Sequence, residues 1–464
     1  MSENQQLIKI WKVMKKIALI NPGTAAQYAV TEPLNLGFIA SYLHAQIPDI
    51  EIRIIDQLAG DDVFEKIQNF RPDIVAITGV TPIIYHSYTI ADYCRKNGIL
   101  TILGGVHASI LPEEALLHAD IVVTGEGEEA IVRIVREKIT SGIVTGIPLW
   151  DLDTIPPPSR HLMNMNFYTT TRTRFTSSFL NFVSLHGKVA AMLTSRGCPF
   201  DCCFCHNSWK DLPYRFHSPE RVVDELEDLV KNYHITSVFF IEDNFFVNKP
   251  RVRKICELII ERRINITWGA NSRVDNIDPE MFKLAKKAGC RQITFGFESG
   301  SQRILDLLNK QSTVIQNIEA IKICNTLGIG VNGTVMIGNP TETMEEIMKT
   351  KSFIANSRID RGVGICLTTP YPGTRLWGWC QKHNLVPSTF SWSDFNYQKI
   401  PINMSRLSDD ELSATYEDLK NTASNQWIGP ISISNYVSTA SLTQILCTLK
   451  NPRRIIRNIK RLRL

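Results

Sequence analysis

Cys198, Cys202 and Cys205 carry the chemistry most readily read from this chain. They are set as Cys-x-x-x-Cys-x-x-Cys within Ser195-Arg196-Gly197-Cys198-Pro199-Phe200-Asp201-Cys202-Cys203-Phe204-Cys205. Thiolates are soft ligands that suit iron–sulfur clusters and zinc. A 4Fe–4S cluster normally takes four thiolates, so a set of three leaves one iron open to an outside ligand. Zinc is the competing reading, because Cys-x-x-Cys is also zinc spacing and His206 or Cys203 would complete a tetrahedron. A zinc module usually brings its second ligand pair from farther along, and no second Cys-x-x-Cys is present. The other cysteines (Cys94, Cys256, Cys290, Cys324, Cys366, Cys380 and Cys447) stand singly, as buried free thiols do.

The elements that must position these thiols are short apolar runs, each ending in a Gly, Ser, Asn or Asp cluster. Several are followed by a charged helical pattern such as Pro219 to Lys231. Strands alternating with helices specify a parallel sheet. In barrels of this type the functional residues lie at strand C-terminal ends, where Glu242, Asp243, Arg273 and Glu298 fall. Each alone has a plain explanation: Asp243 as a turn cap, Arg273 in a surface ion pair, Glu298 as a solvated strand end. Their arrival in register behind the cysteines argues for more.

From about Val189 to Arg375 the chain resembles the radical S-adenosylmethionine (SAM) superfamily. The resemblance implies that Cys198, Cys202 and Cys205 hold a 4Fe–4S cluster whose open iron is chelated by the amino and carboxylate groups of SAM. Phe204 fills the place of the family's aromatic residue before the last cysteine. Ser237-Val238-Phe239-Phe240-Ile241-Glu242-Asp243-Asn244 resembles the second barrel strand, which puts Asp243, and after it Glu242, beside the SAM ammonium. Residues 268–273 resemble the third strand, with Arg273 toward the SAM carboxylate. Residues 296–300 resemble the fourth, with Glu298 and Ser299 toward the methionyl or ribose groups. Residues 333–342 resemble the fifth strand and its adenine-side turn, at Ile337, and residues 369–374 end the sixth.

The first 135 or so residues carry a second pattern. Lys16-Ile17-Ala18-Leu19-Ile20-Asn21-Pro22 is a buried strand ending in a turn, and further strands read Ile52 to Asp56, Ile74 to Thr78, Thr101 to Leu103 and Ile121 to Val123. Leu36, Ile39, Ala40 and Leu43 form one face of a helix between the first two. Five such strands describe a doubly wound, flavodoxin-like domain with its ligand site beyond the strand C-termini. Those ends hold Asn21, Pro22, Thr78, Thr81, Gly104, Gly105, His107, Gly125 and Glu126, and paired glycines admit a bulky planar ligand close to the backbone.

This half resembles the cobalamin-binding domain that precedes many radical SAM enzymes, through Glu32-Pro33-Leu34-Asn35-Leu36-Gly37, Leu103-Gly104-Gly105-Val106-His107-Ala108, Leu111-Pro112-Glu113-Glu114 and Gly125-Glu126-Gly127-Glu128. Cobalamin domains that ligate cobalt from below carry Asp-x-His-x-x-Gly after the first strand, and no histidine lies between Ile20 and Gly37. Cobalamin is therefore expected base-off, without a histidine ligand. His107 lies near the expected site as a turn residue.

A chain of 464 residues with 44% apolar side chains has room for two to three domains. The expected architecture is α/β: a flavodoxin-like (Rossmann-type) cobalamin-binding domain over 1–140, a linker over 141–180, a partial (β/α)6 TIM-like radical SAM barrel over 181–388, and a small, mainly helical C-terminal region over 389–464. Trp392, Phe395 and Trp427 are expected in the core of that last region or over the substrate mouth. No uninterrupted apolar run of about eighteen residues appears, and the N-terminus lacks the order of a secretory signal. A reducing, cytoplasmic setting follows, and it suits a thiolate cluster. Net charge is only +5, yet residues 449–464 hold Lys450, Arg453, Arg454, Arg457, Lys460, Arg461 and Arg463 with no acid. Ile455, Ile456, Ile459 and Leu462 recur there at helical spacing. Such a basic amphipathic helix either contacts the inner membrane face peripherally or docks on its own barrel. Basic and aromatic residues are not interleaved as nucleic-acid binding would require.

The resemblance implies an enzyme in which an external donor of the flavodoxin or ferredoxin type reduces the cluster. SAM is then cleaved to methionine and a 5′-deoxyadenosyl radical. The expected outcome is methyl transfer from cobalamin to an unactivated carbon of a small-molecule or lipid substrate. Oxidative cyclisation or ring rearrangement of a tetrapyrrole-like or lipid substrate is the runner-up. A non-catalytic cluster-binding electron carrier is the third class, and it would have no use for Asp243, Arg273 and Glu298. No residue of the sequence names the substrate or a catalytic side chain.

Overall fold

Apolar runs without polar alternation need both faces covered, and the chain builds two sheets of that kind. The computed structural model describes residues 16–23, 31–170, 182–183, 187–206 and 212–426. In the first sheet β1 (Lys16–Asn21), β2 (Glu51–Asp56), β3 (Ile74–Thr78), β4 (Leu100–Gly104), β5 (Ile121–Thr124) and β6 (Gly142–Thr145) run parallel in the order β2-β1-β3-β4-β5-β6. One face packs Ile17, Leu19, Ile102 and Ile121 under the Leu34–Gln46 and Gly127–Glu137 helices. The other buries Ala18, Ile20, Val75, Ile77 and Leu103 with Tyr88 and Ala91 of the Ile84–Lys96 helix. Five of these strands lie where the sequence places them. The sixth falls in the stretch expected to be linker. It is an edge strand of four residues in which only Val144 is buried, too short to show a period.

The second sheet is also parallel and six-stranded, in the order β14-β13-β12-β11-β10-β7. It comprises β7 (Val189–Met192), β10 (Ser237–Phe240), β11 (Thr267–Ser272), β12 (Cys290–Glu298), β13 (Gly330–Ile337) and β14 (Val363–Leu367), and it is the expected partial barrel. Its helices start where their sequences say. Ser218 caps Pro219–Tyr233 by accepting from the Arg221 N–H, and Thr313 with Gln316, like Thr343 with Glu346, forms a capping box. Trp268 is fully buried and packs on Phe240, Phe245 and Phe246.

The described C-terminal residues divide between the two sheets. Leu376, Cys380, Trp392, Phe395, Ile402 and Met404 join the core of the first domain. Leu407, Leu412, Tyr416 and Leu419 return to the barrel core, the last three on the Asp409–Gln426 helix. Trp392 and Phe395 pack on Trp377 and Phe390 of their own segment, and Trp392 also meets His107, so this aromatic cluster is continuous with the core of the first domain. Trp427 and the basic stretch 449–464 lie outside the described residues. Arg160 pins the halves together. Its guanidinium reaches Glu32 of the first domain at 3.4 Å, Glu225 of the barrel at 2.9 Å and the Ala191 carbonyl of β7 at 2.8 Å, all buried. No helix among the described residues is long and apolar enough to cross a membrane.

Candidate functional site

A two-stranded antiparallel stem, β8 (Ser195–Arg196) with β9 (Arg215–Phe216), closes the loop that holds all three candidate cysteines. Cys202 is buried, and Cys198 and Cys205 are half-buried. Burial raises the Cys198 thiol and pushes Cys205 up to about 12, and the charges of Asp243 and Cys202 add to both shifts. These groups therefore share one neighbourhood. Cys203 faces elsewhere: its N–H donates to Leu308 O at 2.9 Å and its thiol to Leu307 O at 3.7 Å. Those contacts turn Cys203 toward the end of the Gln302–Leu307 helix.

At the end of β10, Glu242 is buried. Thr194 donates to its Oε1, its Oε2 has no partner, and burial pushes its pKa up to about 6. Both amide atoms of Asn244 are buried and unpartnered as well. Asp243 is exposed, no described residue bonds its carboxyl, and the surrounding protein raises its pKa. Of the two carboxylates the sequence singles out, Asp243 is the exposed one and Glu242 lies buried behind it.

Arg273 departs from expectation. Its Nε and Nη2 grip Asp275 at 2.9 and 2.8 Å, Nη2 also donates to Lys310 O, Nη1 points to Cys202 Sγ at 3.4 Å, and the guanidinium stacks 3.7 Å from the Phe200 ring. It is spent on holding the cysteine loop. The cation left near a ligand is Lys310, which the sequence reading missed. It is buried, its Nζ lies 2.6 Å from Glu298 Oε1 and 5.9 Å from the Phe204 ring centroid, and its charge lowers the Cys205 thiol. Glu298 ends β12 at φ +60° beside a bulge. Ser299 turns away instead, its hydroxyl 3.2 Å from that of Thr350 on the Met344–Asn356 helix. Ile337 is buried, and its carbonyl accepts from Thr368 N–H at 2.9 Å. The turn after it is fixed by Glu342, whose Oε2 accepts from Gly338 N, Asn339 N and Asn339 Nδ2, while burial raises its pKa to about 7.

The strand ends of the first sheet are organised differently. Asn21 donates to Asp56 at 2.8 Å, and Tyr168 from the linker seals that carboxylate. Pro22 is buried beside it. Thr78 Oγ1 accepts from Asn35 at 3.4 Å. Gly104 O accepts from Gly79 N–H at 3.0 Å, and Gly105 has φ +94°, where a Cβ would meet Gly79 O at 2.7 Å. Only glycine fits there. His107 is fully buried, with Nδ1 3.1 Å from Thr81 Oγ1 and Nε2 3.4 Å from Glu114 Oε1. Neither nitrogen is free for a metal. Gly125 N–H donates to Ser109 Oγ at 3.1 Å. Glu126 is buried and pairs with Arg215 and Arg196 of the cysteine-loop stem. The feature that sequence reasoning overlooked is an apolar rim: Val80, Tyr85 and Val106, on the segments after β3 and β4, are exposed.

The Radical SAM superfamily profile matches residues 192–354 and the B12 binding domain profile residues 22–135. An uncharacterized methyltransferase of Pyrococcus horikoshii is 33% identical over 83% of this chain and 86% of its own. The chain belongs to the radical SAM enzymes that carry a B12-binding domain. Another relative of this radical SAM protein, the anaerobic magnesium-protoporphyrin IX monomethyl ester cyclase of Rubrivivax gelatinosus, is 29% identical over 79% of the chain and 68% of its own. The fold is similar to that of OxsB, a cobalamin-dependent S-adenosylmethionine radical enzyme, with a TM-score of 0.72 at 16% identity over 98% of this chain and 72% of that one. A 4Fe–4S cluster, SAM and cobalamin are thus the cofactors of this enzyme. Its residues bear on them unevenly. Cys198, Cys202 and Cys205 share one loop but are not gathered as a metal site among the described residues. Glu242, by contrast, keeps an unpartnered carboxylate oxygen at the β10 end, and glycine backbone lies under an exposed apolar rim.

Proposed function

We propose that the protein methylates an unactivated carbon of a small-molecule or lipid substrate in a cobalamin-dependent radical SAM reaction. One observation carries the reading: the strand-end turn of the B12-binding domain, through Glu126 and Glu128, touches the stem of the cysteine loop directly. Methyl transfer needs the two cofactors to face one substrate, and this contact is where the two sheets' C-terminal ends meet. When bound, the cluster supplies one electron for SAM cleavage and cobalamin supplies the methyl group.

The protein's own residues orient and shield. In this reading Cys198, Cys202 and Cys205 are the cluster ligands, and Asp243, with Glu242 behind it, receives the SAM ammonium. Lys310, held by Glu298, replaces Arg273 as the partner of the methionyl carboxylate, and the Glu342-braced turn presents the backbone after Ile337 to adenine. Gly79, Gly104, Gly105 and Gly125 take the corrin edge by close approach. His107, engaged on both nitrogens by Thr81 and Glu114, would not serve as a ligand to cobalamin, in keeping with the expectation of a base-off cofactor without a protein histidine. A flavodoxin- or ferredoxin-type donor supplies the electron.

The cyclase relative supports a second reading, oxidative ring formation. Products separate the two. With substrate, a methylase releases 5′-deoxyadenosine and S-adenosylhomocysteine in about equal amounts, one from each of two SAM molecules, and methyl label enters the product. Deoxyadenosine alone, with no label transferred, selects the cyclase.

A further inference from the structure

Two arginines face each other across the stem of the cysteine loop, Arg196 paired with Arg215. Like charges directly opposite on a sheet destabilise the pair, and both of these are largely withdrawn from water. The charge is neutralised from the other domain. Glu126 Oε1 lies 3.3 Å from Arg196 Nη1 and 2.5 Å from Arg215 Nη2, Glu126 Oε2 lies 3.1 Å from Arg215 Nη1, and Glu128 takes Arg196 Nη2. The side chains of Glu126 and Glu128 are only 3% and 5% exposed, so water cannot substitute for them. Among the described residues, Leu149 O also accepts from Arg215 at 2.7 Å, and Phe38 lies 5.7 Å from the Arg196 guanidinium, but neither carries a negative charge.

The carboxylates are anchored in turn. Gly125, immediately before Glu126, holds φ +87° and donates to Ser109 Oγ, whose hydroxyl bonds Gly105 O at 2.9 Å. Two hydrogen bonds, one step along the backbone and an ion pair therefore lead from Gly105, just after β4, to Arg196, two residues before Cys198.

We infer that Glu126 and Glu128 are positioning residues that couple the two cofactor sites, so that filling the cobalamin site tightens the cysteine loop and a loaded loop tightens cobalamin binding. The inference rests on the reading of the Gly105 and Gly125 turns as the cobalamin site. Linkage makes the effect reciprocal, because a ligand that favours one arrangement of the shared network raises affinity at the other end by the same factor.

The test is the affinity of the full-length protein for hydroxocobalamin, measured anaerobically by absorption with and without the reconstituted cluster. The wild type is expected to bind at least about fivefold more tightly with the cluster present. In Glu128→Gln, which keeps shape, removes the second carboxylate from Arg196 and leaves the Glu126 contact, the ratio falls part of the way toward one while the circular dichroism stays that of a folded protein and the melting temperature drops. Glu126→Gln strands two buried arginines and can fail by misfolding, which is why Glu128 is the position tested. A wild-type ratio near one overturns the coupling while leaving the cobalamin site intact. A folded Glu128→Gln variant that keeps the full wild-type ratio overturns the part assigned to Glu128. Absence of cobalamin binding in either state overturns the site reading and the inference together.

Discussion

The two six-stranded parallel sheets end in opposite ways. Among the described residues of the first domain, 16–145, every buried side-chain nitrogen and oxygen has a partner. In the barrel, Glu242 Oε2, both amide atoms of Asn244 and Thr294 Oγ1 have none. The first sheet satisfies itself, through Asn21 with Asp56, Thr81 with His107 and Ser109 with Gly125, and offers glycine backbone and apolar surface. The second keeps polar groups unspent. A buried unpartnered group costs about 1–3 kcal/mol, so it persists where a ligand repays it. In the reading proposed above, the difference separates a large cofactor held by shape from a small charged one held by specific bonds.

The sharpest way to break this contrast is at the cysteines. Cys198→Ala, Cys202→Ala and Cys205→Ala are each expected to abolish the cluster, whereas Cys203→Ala retains about four iron and four sulfide and loses only about 1 kcal/mol of stability. Iron and sulfide analysis with EPR checks it, and loss of the cluster in Cys203→Ala would mean the wrong ligand set. A smaller effect is expected at Lys310. Lys310→Met leaves Glu298 buried without its cation, at a cost of about 3–5 kcal/mol, and weakens SAM binding by at least about tenfold. The double variant Glu298→Gln/Lys310→Met should regain stability but not SAM affinity, as thermal melts and equilibrium dialysis would report. Recovery of both would make the pair purely structural. The smallest effect belongs to the first domain. His107→Ala is expected to cost about 1–3 kcal/mol, since Thr81 and Glu114 lose a partner, and to leave the EPR spectrum of bound cob(II)alamin unchanged. An altered axial signal would place His107 on the cobalt and end the contrast.

Much of this was readable from residue patterns. β3 lies at Ile74–Thr78 as its apolar run dictates, and β1, β4 and β5 agree to within a residue or so because doubly covered strands read as apolar runs, while the edge strand β2 shows instead as Ile52, Ile54 and Ile55 between charged residues. The cysteine spacing and the acidic end of β10 were legible for a similar reason: they are local. What escaped depends on partners distant in sequence. Lys310 follows a short polar helix and reads as a solvated charge, and only the fold buries it against Glu298. Arg273 stands at its expected strand end, yet Asp275, Lys310 O and Cys202 consume its donors. Glu126 was visible as a strand-end residue, but its arginines lie some seventy to ninety positions onward, in the other domain.

The divided C-terminal region sets an order of events on the ribosome. The first sheet is complete in sequence at Thr145 and its own helices cover both faces, but Trp392, Phe395, Ile402 and Met404, which belong to the same core, arrive only later. At roughly 5–20 residues per second, that wait is on the order of 10 to 50 s. Through that interval the nascent first domain lacks the last part of its core while the barrel is still being made. Emergence of the chain past residue 404 completes it.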